Sequence, residues 1–97
     1  KDTGIADVHI IIGMVKDKDI DKVLALLPTD FKYYFTQAQL PRALPYTELQ
    51  EKAATFNLLG GAYPTPQLAL EQALLKAAND ALIVVCGSVF VVGEIKF

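Results

Sequence analysis

One cysteine, one histidine, one methionine and no tryptophan stand in a chain of 97 residues. Cys86 cannot staple the domain by itself, and no second thiol completes a CxxC or zinc pattern. A reducing, cytoplasmic compartment is therefore the expected one. No charged-then-apolar leader and no apolar run of about 18 residues is present, which argues against secretion and against a membrane-spanning helix. Charge of one sign is missing too. Nine basic against eleven acidic residues leave −2, too little to draw nucleic acid or an anionic membrane to the surface as a whole. The chain also lacks a GxxxxGK[ST] phosphate loop, a GxSxG elbow, a GxGxxG fingerprint and any metal-ligand cluster. No acid, base or nucleophile set can be assembled, so the sequence predicts no catalytic residue and no metal ligand of its own.

What is there is apolar and periodic. With 53% hydrophobic and 21% charged residues, the chain reads as globular, not disordered. Its length suits one domain or part of one. Val8 to Met14 is an almost unbroken apolar run, the pattern of a strand covered on both faces. From Ile20 the period changes: Ile20, Val23, Leu24 and Leu27 make one helical stripe, stopped by Pro28. Phe31 to Ala38 predicts a second strand with Phe31, Tyr33 and Phe35 on one face. Thr47 and Gln50 have capping-box spacing before a second helix that buries Leu49, Ala53 and Phe56. A short strand is expected around Ala62–Tyr63. Thr65 and Pro66 then cap a third helix with a stripe of Leu70, Ala73, Leu74 and Ala77, closed at Asn79-Asp80. "ALIVVCGS" is the most strand-like segment of all. Strands alternating with helices predict an α/β fold, a Rossmann-like, mostly parallel sheet of about four strands with flanking helices. The last segment, "SVFVVGEIKF", reads as strand by propensity and as helix if Ser88 caps it.

Chemistry in such a fold gathers beyond the carboxyl ends of the strands. "GMVKDKDI" lies at one such end. Asp17 or Asp19 can cap the following helix, which accounts for the acids without any function. Lys18 is a cation in a first turn, where the helix dipole disfavours it. It is either solvated beside an aspartate or it reaches over the sheet edge toward a carboxylate or phosphate. "VVCGS" is a second strand end, where Gly87 permits close approach and Ser88 offers a hydroxyl. Arg42, flanked by prolines, is either a solvated loop residue or an anion clamp. His9, inside an apolar strand with no partner in view, reads as structural, and Cys86 as a small buried apolar residue.

"HIIIGMVKDKDI", "PRALPYTEL", "ALEQALLKA" and "LIVVCGSVFVVGEI", in this order, resemble the carboxy-terminal domain of folylpolyglutamate synthase/dihydrofolate synthase, in the Mur ligase superfamily. The resemblance runs from about residue 8 to residue 95, and it is the combination of GMVKDKD, PRAL and GSVF at these spacings that favours the folate branch. It implies a domain that closes over a central ATP-binding domain. There ATP phosphorylates a folate carboxylate to an acyl phosphate, which the amine of glutamate attacks. ATP and Mg would be held mainly by that central domain, the domain's partner in the parent chain.

In the related muramyl ligases a lysine at the position of Lys18 and a serine at that of Ser88 contact amino-acid carboxylates. Carried over, they make a glutamate-binding half-site, with Phe90 lining it and Arg42, Asp17 and Asp19 as candidate anion or nucleotide contacts. The resemblance also turns the last segment toward helix. It departs at the front, where only "KDTGIAD" precedes the strand in place of a DGAHNP-type β-α unit. Residues 1–97 are therefore expected to be a single truncated domain of a larger ligase in folate and one-carbon metabolism. Alone, such a chain is expected to be inactive and open to self-association through exposed sheet. The competing readings are a stand-alone Rossmann-like ligand-binding or regulatory module and a purely structural interaction domain.

Overall fold

Strand β1 (Val8–Gly13) is buried at every position, as its continuous apolar pattern requires of a strand with a layer on either side. The computed structural model describes residues 7–16, 19–39, 41, 43–77 and 81–87. After β1 come α1 (Ile20–Ala25), β2 (Lys32–Thr36), α2 (Tyr46–Ala54), β3 (Gly60–Ala62), α3 (Pro66–Lys76) and β4 (Leu82–Gly87). The four strands form one sheet in the order β3-β2-β1-β4, and every pairing is parallel. This is the α/β architecture that alternating strands and helices predict.

The two faces carry separate cores. On one, Ile10 and Ile12 of β1 with Tyr33 and Phe35 of β2 meet Ile20 and Leu24 of α1 and Leu49 and Ala53 of α2. On the other, Ile11 and Tyr34 meet Ala69, Leu70 and Ala73 of α3. The alternation of side chains along each strand sorts them between these layers.

Several details differ from the sequence reading. The capping box of Thr47 and Gln50 does not form: α2 begins at Tyr46 behind Pro45, with no side-chain cap. The Gln37 side chain accepts from Tyr46 N at 3.0 Å, and Gln50 Nε2 donates instead to Gly60 O at 2.8 Å. The third stripe shifts by one residue. Ala69, Leu70 and Ala73 are buried while Leu74 is 58% exposed, because two alanines let the helix axis settle over β1 and β2 and leave Leu74 on its flank. Strand β2 is shorter than Phe31–Ala38, and β3 lies at Gly60–Ala62 instead of Ala62–Tyr63. The cap of α3 is as expected, with Thr65 Oγ1 accepting from Leu68 N at 3.2 Å and Pro66 in the first turn. The helix expected after Ser88 and the close of α3 at Asn79-Asp80 lie outside the described residues, as does the side chain of Cys86.

Candidate functional site at the strand ends

The chain steps from β1 to β2 to β3 in one direction, with α1 and α2 on one face. It then crosses back over the other face through α3 to place β4 on the far side of β1. The strand order therefore reverses between β1 and β4, and in open α/β sheets the ligand crevice forms at that reversal, beyond the carboxyl ends. Here both strands end in glycine, and Gly13 is paired with Gly87 in register. "GMVKDKD" and "GS" thus leave the sheet from neighbouring strands at one edge.

A third segment is fastened to that edge. Val15 and Ala43 form an isolated antiparallel bridge, and Leu44 N donates to Met14 O at 2.8 Å. The "PRALP" loop is thereby held against the turn that follows β1, with position 42 adjoining the bridged Ala43. Of the residues singled out from sequence, Asp19 is described. Its carboxylate accepts from Lys22 N at 3.4 Å as the N-cap of α1, which makes it the capping acid of the pair considered. Asp17, Lys18, Arg42, Ser88 and Phe90 lie outside the described residues.

Asp19 also borders a hollow of about 330 Å³ lined by Lys16, Ile20, Asp21, Leu44 and Lys52. Lys52 Nζ stands 3.4 Å from Asp21 Oδ1 across its rim. Both groups are well exposed, so the pair contributes little to stability. Lys52 is a cation that no motif pointed to, since it comes from the last turn of α2 and meets the site only through the fold. Among the described residues no three His, Cys, Asp or Glu come together as a metal-ligand set. No step through a metal is assigned to these residues. No helix among the described residues is long and apolar enough to cross a membrane.

Two buried polar side chains complete the inventory, His9 and Thr36. His9 has partners after all. Its Nδ1 is hydrogen-bonded to the Tyr34 hydroxyl at 2.7 Å. Nε2 lies 2.8 Å from Asp7 Oδ1, at ion-pair distance, though not aligned as a hydrogen bond. Lys32 Nζ donates to the same carboxylate oxygen at 2.5 Å. This cluster sits at the opposite, amino-terminal edge of the sheet. Burial, then the neighbouring Tyr63 and Asp7, push the Tyr34 phenol above its ordinary value. Asp7, two residues before His9 and so on the same face, was the available signal. Thr36, by contrast, is fully buried and its Oγ1 has no hydrogen-bond partner.

A parallel four-stranded α/β sheet whose strand order reverses between β1 and β4 defines a Rossmann-like fold. The solved structures it resembles are folate ligases. E. coli FolC in complex with DHPP and ADP is 29% identical with a TM-score of 0.78, over 89% of this chain and 20% of its own. The bifunctional folylpolyglutamate synthase/dihydrofolate synthase of Yersinia pestis, complexed with AMPPNP and Mn ion, is 26% identical with a TM-score of 0.74. That match covers 89% of this chain and 20% of the other. The Mycobacterium tuberculosis folylpolyglutamate synthase complexed with ADP and AMPPCP shares the fold at a TM-score of 0.81 and 24% identity, over 93% of this chain and 23% of its own. The chain thus spans about a fifth of the length of the structures it matches. No protein-family model and no curated protein sequence matches it.

Proposed function

We propose that this chain is the amino-acid-presenting domain of an ATP-dependent folate–glutamate ligase that acts through an acyl phosphate. The observation that carries the reading is the in-register pairing of Gly13 with Gly87, with the "PRALP" loop bridged onto the same edge. It sets the ends of β1 and β4, which precede Lys18 and Ser88 in the chain, side by side, with Ala43, the neighbour of Arg42 in sequence, bridged to Val15. Lys18 and the Ser88 hydroxyl hold the carboxylates of glutamate, Phe90 lines the pocket, and Arg42, Asp17 and Asp19 contribute the anion or nucleotide contacts. ATP and Mg are bound mainly by a central domain, so the isolated chain has no ligase activity.

Self-association of the isolated chain belongs to the same proposal. Among the described residues β4 pairs with β1 alone, and Leu82 at its start is 44% exposed, so the margin is a template for a further strand.

The test is a titration of the 97-residue chain with L-glutamate, followed by NMR, beside its Lys18→Ala and Ser88→Ala variants. Each variant should bind about tenfold more weakly, since each removes a hydrogen-bonding partner of a carboxylate, one of them charged. Affinity unchanged in both variants would reject the roles given to these residues.

A further inference from the structure

Thr36 ends β2 at the same edge and is paired with Gly13, which is in turn paired with Gly87. The three form one row across the carboxyl ends of neighbouring strands. Alternation along β2 puts Thr36 on the face of Tyr34, which packs against α3. Alternation along β1 puts Gly13 on the face of Ile11, the same one. The row therefore presents a hydroxyl on β2 and then two positions without side chains, at the switch point itself.

On that face lies α3, an 11-residue helix capped by Thr65. Tyr63 N, just before it, donates to Phe35 O at 2.8 Å, so the helix starts near this edge, and its dipole favours negative charge at that end. Among the described residues every other buried side chain in the strands is apolar or aromatic, apart from His9, which is held by Tyr34 and Asp7. Thr36 alone among the described residues is a fully buried polar side chain with neither a hydrogen bond nor an ion pair. Such a group costs stability unless something not of the protein satisfies it. Valine has the same shape and would carry no such cost.

We propose that the Thr36 hydroxyl, at the carboxyl end of β2, is a ligand-holding group that donates to a carboxylate oxygen of the amino acid bound at this edge. This rests on the reading of the edge as a glutamate site and adds to it a residue from β2, a strand that reading does not use. The hydroxyl supplies a short donor fixed by the strand, and so orients the amino acid instead of merely attracting it.

The test compares L-glutamate affinity, by NMR titration, in the parent chain and in Thr36→Val, Thr36→Ser and Thr36→Ala. Thr36→Val should bind about tenfold more weakly while its unfolding midpoint in urea stays level or rises, because an unpaired hydroxyl has been removed. Thr36→Ser should stay within about threefold of the parent, since the donor remains. Should Thr36→Val fail to fold, the serine and alanine variants differ from each other by the hydroxyl alone, and serine should bind about tenfold tighter. Equal affinity of serine and alanine, or a valine variant that binds like the parent, overturns the role of Thr36 and leaves the glutamate site standing. A parent chain that does not bind glutamate at this edge overturns the glutamate reading, and the proposal for Thr36 with it.

Discussion

Gly60 and Gly61 sit side by side in β3 and answer differently to a methyl group. A Cβ on Gly60 would be built into the backbone carbonyl of Tyr33 on the neighbouring strand, which cannot yield without breaking the pairing. On Gly61 it would meet the Tyr63 hydroxyl at 2.5 Å, the far end of a side chain that can swing aside. Gly60→Ala is therefore expected to cost about 3 kcal/mol or more in urea unfolding, and Gly61→Ala about 1 kcal/mol. Tyr34 offers a pH-dependent test. Its phenol is held above the ordinary 10.0, chiefly by burial, so the folded chain keeps a proton that the unfolded chain has begun to lose. The stability this group contributes is complete below the unfolded value and falls as pH rises through the folded one. Unfolding midpoints measured between about pH 9 and about pH 11 should decline less steeply in Tyr34→Phe than in the parent chain. An identical decline in the two would contradict the assignment.

At the scale of elements, α3 shows what a sequence can say and where it stops. Thr65-Pro66 announces the helix start by chemistry that is local, and the structure has the cap there. Which leucines face the sheet is not local, because it depends on how closely the helix can approach. Ala69 and Ala73 set that approach, so Leu70 is buried at 4% exposure while Leu75 is 78% exposed. Leu70→Ala should cost about 2–5 kcal/mol and Leu75→Ala a few tenths at most, both read from urea unfolding. The end of α2, expected at "NLLGGAYP", is local chemistry as well. Asn57 takes a left-handed conformation, φ 63°, and the chain closes with Leu58 N donating to Ala53 O at 3.0 Å, a helix stop in which asparagine stands in for glycine. Asn57→Gly should leave stability level or higher, and Asn57→Ala should lower it by about 1 kcal/mol. The capping box at Thr47 misled because Gln37, nine residues earlier in the chain, supplies the acceptor to Tyr46 from another loop.

For the whole molecule, the order of strands and helices was legible because β1 and β4 are β-branched runs, β2 is aromatic, and the helices carry apolar stripes. The site was legible in its parts, since glycines at strand ends and charges after them are visible in a line of letters. What a line of letters does not hold is adjacency. That Gly13 and Gly87 are partners, that Ala43 bridges Val15, and that Thr36 belongs to the same row all follow from strand order and register. His9 looked solitary for the same reason, because its hydroxyl partner, Tyr34, lies 25 residues away on the next strand. Assembled, the molecule has two polar ends. The amino-terminal edge is closed by Asp7, His9, Lys32 and Tyr34 bound to one another. The carboxyl edge keeps an unpaired hydroxyl, two glycines and a hollow with charged walls. The proposed function belongs to the second end.

Sedimentation of the isolated chain over a range of concentrations should show reversible association through the β4 margin. A monomer throughout would count against it. The most direct test of the central claim maps where glutamate binds, by following the backbone amides of the chain as L-glutamate is added. Shifts should gather at Gly13, Met14, Val15, Thr36 and Gly87, while His9, Lys32 and Tyr34 at the opposite edge stay still. Shifts confined to the amino-terminal edge, or none at the strand ends, would contradict the account.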